Sequence, residues 1–118
     1  MTELGELAGR LRRFAEVRDW EQFHTPKNLA MALAGEVGEL LAELQWLTPE
    51  ESATIMDDPQ AAARLRSEIA DVMIYLTRLA DTLGVDLAEA AHAKLDESER
   101  RYTVESYRGS ARKAPPLA

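Results

Sequence analysis

The chain has 118 residues, 46% of them hydrophobic and 30% charged, with a net charge of −7 and no cysteine. That length supports one domain with a modest core. The absence of cysteine excludes disulfides, zinc–thiolate sites and a cysteine nucleophile, and the acidic balance argues against a nucleic-acid partner, which needs a basic footprint.

The punctuation along the chain is helical. Thr2 caps a first helix predicted to run to about Asp19, with Leu4, Leu7, Leu11 and Phe14 on one stripe. Thr25-Pro26 reads as N-cap and first helical position of a second helix, ending near Trp46. Thr48-Pro49-Glu50-Glu51 has the form of a capping box and starts a short connecting helix. Asp58-Pro59 opens a long helix that stops at Gly84, with Leu65, Ile69, Val72, Leu76, Leu79 and Leu83 as its core stripe. Asp86, with Glu89 three residues on, caps a last helix to about Tyr102, seamed by Leu87, Ala91, Leu95 and Tyr102. No strand alternation, repeat or low-complexity tract interrupts this pattern. The expected fold is all-α, resembling a four-helix bundle, with four main helices plus the short connecting one. Residues 1–107 are expected to form the domain and 108–118 a basic, proline-containing tail, extended or mobile. No secretory leader or bilayer-length apolar stretch is read, so a cytoplasmic protein without a membrane partner is expected.

Two acidic pairs stand out, Glu36-Val37-Gly38-Glu39 and Glu68-Ile69-Ala70-Asp71. Residues three apart lie on one side of a helical turn, so each pair aims two carboxylates at one point. No lysine or arginine occurs between Asn28 and Ala63 to neutralise the second helix. Four hard oxygen donors at the edges of two apolar stripes suit Mg²⁺, with Mn²⁺ as a substitute. On the long helix the competing reading is ordinary ion pairing, Arg64 with Glu68 and Asp71 beside Arg78. The second helix is apolar or small over most of its circumference, which implies burial by a second copy and hence a homodimer or homotetramer.

Other residues carry two readings each. Lys94 and Arg101 border the last helix's seam and either hold phosphate oxygens or lie along a core edge. Trp20 and Trp46, at helix ends near the acidic strip, are either core or stacking surfaces for a base. His24 precedes a helix and either touches a ligand or only a turn. Glu89-x-x-His92 occurs once and points away from the seam, which leaves a di-iron centre without its second half. There is no glycine-rich phosphate cradle.

These residues resemble the MazG-like nucleoside triphosphate pyrophosphohydrolases. The resemblance runs from Asp19-Trp20-Glu21-Gln22-Phe23-His24-Thr25-Pro26-Lys27-Asn28-Leu29 through Gly35-Glu36-Val37-Gly38-Glu39-Leu40 and Gln45-Trp46. It continues in Glu68-Ile69-Ala70-Asp71-Val72-Met73-Ile74-Tyr75-Leu76, Lys94-Leu95-Asp96, Arg100-Arg101-Tyr102 and Arg108-Gly109-Ser110-Ala111-Arg112-Lys113. It is nearest to the single-domain dCTP pyrophosphatase branch. The resemblance implies hydrolysis of (deoxy)nucleoside triphosphates, dCTP-like pyrimidine nucleotides first, to monophosphate and pyrophosphate, with Mg²⁺ held by Glu36, Glu39, Glu68 and Asp71. It implies substrate contacts from Trp20, Trp46, Tyr75, Lys94, Arg101 and Tyr102, to which His24 and Ser98 are added as candidates. Water would attack at the α-phosphorus, and one of the carboxylates, Glu39 among them, would accept its proton. Two positions depart from the dCTP branch: Leu11 stands where it often has histidine, and Ser98 where it often has asparagine, so a looser base preference is expected. The rival readings are a hydrolase of modified or non-pyrimidine nucleotides, and a non-catalytic nucleotide-sensing or partner-binding module.

Overall fold

Five of the six α-helices among the described residues begin where a side chain accepts the amide protons that a helix start leaves free. The computed structural model describes residues 2–118. Its long helices are α1 (Glu3–Glu16), α2 (Pro26–Ala42), α4 (Pro59–Thr82) and α5 (Leu87–Arg101), with shorter α3 (Pro49–Ala53) and α6 (Val104–Tyr107). The Thr2, Thr25 and Asp86 side chains accept from the amides of Gly5, Asn28 and Glu89 at 3.0, 3.2 and 3.0 Å. At α3 the capping box is reciprocal: Glu51 N–H donates to the Thr48 hydroxyl at 3.1 Å, and Thr48 N–H to the Glu51 carboxylate at 2.9 Å. Asp58 accepts from Gln60 at 3.0 Å at the start of α4, with Pro59 at the first helical position. No strand occurs among the described residues. The fold is all-α with four long helices, as the punctuation predicts; α6 is an additional short one.

Three helix ends differ from expectation for local reasons. The first stops at Glu16 because Asp19 turns left-handed (φ 54°), and Trp20 N–H donates back to Ala15 O at 2.9 Å. The Gln22 side chain holds that turn through the Asp19 carbonyl and carboxylate, at 3.0 and 3.1 Å. The second stops at Ala42, short of Trp46, as its last turn tightens into Glu43 N–H to Leu40 O at 3.2 Å and Leu44 N–H to Leu41 O at 2.9 Å. The last ends at Arg101, one residue before Tyr102. Gly84 (φ 68°) closes α4 as expected, with Val85 N–H reaching Ala80 O at 2.9 Å.

The chain divides into two units, Met1–Val85 and Asp86–Ala118. In the first, α4 is the common support, and α2 and α1 both pack against it. Ala15, Leu29, Ala61, Ala62, Leu65 and Ala80 are buried there. The predicted α4 stripe is only partly interior. Leu65 is buried and Val72, Leu76 and Leu79 are half-buried, but Ile69 and Leu83 are exposed. On α2, Leu29 is buried while Met31, Val37 and Leu41 are exposed.

In the second unit, the tail runs extended and is tied to the end of α5. Arg101 donates to the carbonyls of Ala114 and Pro115 at 2.6 and 3.2 Å, and the Tyr102 hydroxyl accepts from Ala114 N–H at 3.2 Å. Tyr102 packs edge-to-face on Tyr107 at 5.0 Å, and the Arg112 guanidinium lies over Tyr107 at 4.7 Å. The α5 seam residue Leu95 is exposed.

Candidate functional site

Packing α2 along α4 brings the two acidic pairs together. One carboxylate oxygen from each of Glu36, Glu39 and Glu68 lies within 4.8 Å of the others. Glu36 and Glu68 are half-buried and Glu39 is exposed. Asp71, one turn on from Glu68, stands outside that trio, but its charge acts on both Glu36 and Glu68. Burial first, then the neighbouring Glu39, Asp71 and Glu68 carboxylates, hold the Glu36 carboxyl above the usual range. Glu68 is raised by burial, then by Glu39, Asp71 and Glu43.

Among the described residues, no ion pair neutralises this cluster. Arg64 turns to Glu43 at 3.1 Å, and not to Glu68 as its spacing suggests. Arg78 turns to His24 and Asp81, and not to Asp71. One oxygen each of Glu36 and Glu68 is buried without a hydrogen-bond partner. A buried, unpaired carboxylate oxygen is costly. Hard oxygen donors converging in this way fit a divalent cation, and so the residues present suit such an ion.

A cavity of about 350 Å³ lies on the same unit, lined by residues that include Leu11, Phe14, Trp20, His24, Tyr75 and Arg78. That volume falls in the range of small-molecule pockets. Trp20 reaches it because the left-handed turn at Asp19 redirects the chain after α1. Its ring meets Phe14 and His24 edge-on, at centroid distances of 5.6 and 6.3 Å. Glu68, Asp71, Tyr75 and Arg78 fall within one arc of α4, since each helical residue turns about 100°. Acidic cluster and aromatic cavity therefore share a face of α4, with Glu68 and Tyr75 roughly 10 Å apart along its axis at the standard rise.

Of the residues singled out from sequence, Trp20, His24 and Tyr75 meet in this cavity. Trp46 does not: it lies beyond α2, 86% exposed, and is not among the lining residues. In the second unit, Lys94 pairs with Glu97 at 3.4 Å, Ser98 is half-buried, and Arg101 and Tyr102 hold the tail. Sequence reading missed the part Arg78 plays. It is buried, its Nε donates to His24 Nδ1 at 3.1 Å, and it pairs with Asp81 at 3.3 Å. The Arg78–Asp81 spacing of three was the available signal. Leu11, which stands at a base-recognition position by resemblance, lines the cavity, and so does Phe14, read only as part of the α1 stripe.

Comparison with known proteins bears on the family. Residues 32–115 match the MazG-like family. The chain is 49% identical over 104 residues to dCTP pyrophosphatase 1 of Bos taurus and 48% identical to that of Homo sapiens, each time over 88% of its own length. It spans 62% and 61% of those relatives, respectively. A solved pyrophosphatase from Archaeoglobus fulgidus superposes with a TM-score of 0.80 at 36% identity, covering 87% of this chain and 94% of that one. With most of its length matched in sequence and in backbone, the chain belongs to the MazG-like family.

Proposed function

We propose that this protein hydrolyses (deoxy)nucleoside triphosphates, dCTP-like pyrimidine nucleotides first, to monophosphate and pyrophosphate. The observation that carries this reading is the pair of buried, unpartnered oxygens on Glu36 and Glu68, on the same α4 face as an aromatic cavity. A roughly 10 Å offset along a helix suits a nucleotide with its base in the cavity and its phosphates at the carboxylates. The relatives named dCTP pyrophosphatase 1 support the substrate class.

In this reading Glu36, Glu39, Glu68 and Asp71 hold Mg²⁺, with Mn²⁺ as a substitute. When bound, the metal supplies a Lewis acid that neutralises and polarises the phosphates. Trp20 and Tyr75 flank the base, and the four carboxylates would fix where a bound metal, and with it the triphosphate, sits for in-line attack by water. Glu39, the exposed member of the trio, is the proposed acceptor of that water's proton. Lys94, Ser98, Arg101, Tyr102 and Trp46 remain proposed substrate contacts on the resemblance alone. Arg101 would have to exchange its tail carbonyls for phosphate oxygens.

The deciding experiment is a Mg²⁺-supplemented panel of dCTP, dTTP, dUTP, dATP and a 5-substituted dCTP, with monophosphate and pyrophosphate both quantified. The expected result is turnover led by dCTP, with other pyrimidines within about two orders of magnitude, because stacking accepts any base. Release of inorganic phosphate alone, or no turnover of any member, refutes the reading.

The proposal includes a homodimer or homotetramer. Met31 (63% exposed), Leu41 (59%) and Ile69 (53%) leave apolar surface open on the two helices that carry the carboxylates. Light scattering at micromolar concentration is expected to give twice or four times the 13.2 kDa chain mass. A monomer there rejects this part of the proposal.

A further inference from the structure

The cavity holds a polar relay separate from the acidic cluster. Arg78 is 6% exposed. Its Nε donates to His24 Nδ1 at 3.1 Å, and a terminal nitrogen donates to Asp81 at 3.3 Å. Arg12 grips the same Asp81 carboxylate with two bonds, at 3.0 and 2.6 Å. A guanidinium has donors and no acceptor, so His24 Nδ1 must present its lone pair to Arg78. The ring is then neutral and carries its single proton on Nε2. Burial, and then the Arg78 charge, hold the His24 pKa below the usual histidine range, in keeping with that state. Nε2 has no hydrogen-bond partner among the described residues, and His24 is part of the cavity wall. The other ionisable groups on that wall are Arg10 from α1 and Tyr75 and Arg78 from α4, and none is a carboxylate. Asp81 acts from behind Arg78.

We propose that Arg78 is a positioning residue that locks His24 as a neutral Nε2–H donor, and that this donor reads the acceptor edge of a pyrimidine in the cavity. The inference rests on reading the cavity as a base pocket and adds what discriminates there. Leu11 has no polar group, and stacking against Trp20 is indifferent to base identity. A fixed N–H is not indifferent. Thymine and uracil accept at O2 and O4 as cytosine accepts at O2, so the discrimination lies at N3: a donor held opposite that atom meets a lone pair in cytosine and a proton in thymine or uracil. One unmatched polar contact costs roughly one to two orders of magnitude in binding, within the span expected above for the other pyrimidines. A histidine free to exchange tautomers would accept either partner.

The test uses ¹⁵N-labelled protein and two-bond ¹H–¹⁵N correlation spectra, with dCMP and dTMP as metal-independent probes. His92 is the one other histidine, so a His92→Gln variant assigns the signals. In the wild type, His24 is expected as a single Nε2–H tautomer at neutral pH, titrating below an ordinary histidine. Arg78→Met is expected to mix the tautomers, raise that pKa and weaken dCMP binding by roughly tenfold, with dTMP changed less. Asp81→Asn is expected to lower the His24 pKa further, because it leaves the Arg78 charge less compensated. Simple loosening of the pocket would hydrate the ring and raise the pKa in both variants, so shifts in the same direction overturn the proposal. A protonated or mixed-tautomer His24 in the wild type overturns it without any variant. If the lock is present but neither nucleotide binds, the base-pocket reading and the pyrimidine part of the inference fall together. An Arg78→Met tautomer identical to wild type removes the lock itself.

Discussion

Glu68→Gln is expected to abolish turnover and, at neutral pH without metal, to raise the melting temperature. Loss of groups that merely support metal ligands costs roughly 10–100-fold, so loss of a direct ligand is expected to cost at least about 100-fold. The gain in stability follows from the same geometry. Glu36 and Glu68 carry carboxyls raised by burial and by one another's neighbours. A carboxylate whose folded pKa is raised favours the folded state below the ordinary glutamate value, and that contribution is lost as pH rises through the folded value. Metal-free wild type is therefore expected to be more stable in mild acid than at neutrality, as far as these two groups decide it. The amide of glutamine removes one repelling charge and supplies a donor to its neighbours. Thermal melts at mildly acidic and neutral pH, with Mg²⁺ and with chelator, check this. Mg²⁺ is expected to stabilise the wild type at neutral pH and the variant much less. A wild type indifferent to Mg²⁺, or full turnover by Glu68→Gln, refutes the assignment. Asp71→Asn is expected to lose turnover comparably.

Asp81→Asn is expected to give the largest loss of stability, about 3 kcal/mol, the scale for breaking a buried ion pair by removing one partner. Asp81 neutralises Arg78, which is buried, and receives the bidentate grip of Arg12, which is exposed. Most of the cost comes from the buried guanidinium left without its carboxylate, so Arg12→Ala is expected to cost much less, about 1 kcal/mol or below. The Arg12 hydrogen bond and the charges of Arg12 and Arg78 together hold Asp81 below the usual aspartate range. The sign is opposite to that of the glutamates. A depressed carboxyl stabilises the fold above the ordinary aspartate value, and the contribution is lost as pH falls through the lower, folded value. The gap between wild type and Asp81→Asn is expected to be full at neutral pH and to close in acid below the ordinary aspartate pKa. Urea titrations at several pH values measure that gap. A gap independent of pH would mean that Asp81 acts through packing and not through charge.

The helices were legible because their causes are local. Thr25-Pro26, Thr48-Pro49 with Glu51, Asp58-Pro59 and Gly84 each satisfy or end a helix through atoms a few residues away. The acidic pairs were legible for the same reason, since three-residue spacing alone sets two carboxylates on one side of a turn. What the spacing left open is which charges meet across helices. Arg64 and Arg78 each had an acidic neighbour on their own helix close to the metal-ligand candidates, and each took a different partner. The Arg64–Glu43 pair depends on where α2 and α4 cross, and the Arg78–His24 bond on the loop that carries His24, and no sequence window contains either; only the Arg78–Asp81 pair lies within one. Burial behaved likewise: Leu11 and Phe14 have core periodicity, yet they wall a cavity, because what faces a helix is decided by its neighbours. The sequence by itself thus determined the helix order, the caps and the carboxylate pairs. Tertiary structure alone decided that one oxygen on each of two of those carboxylates is buried without a partner, and that a buried arginine leaves His24 one proton to offer.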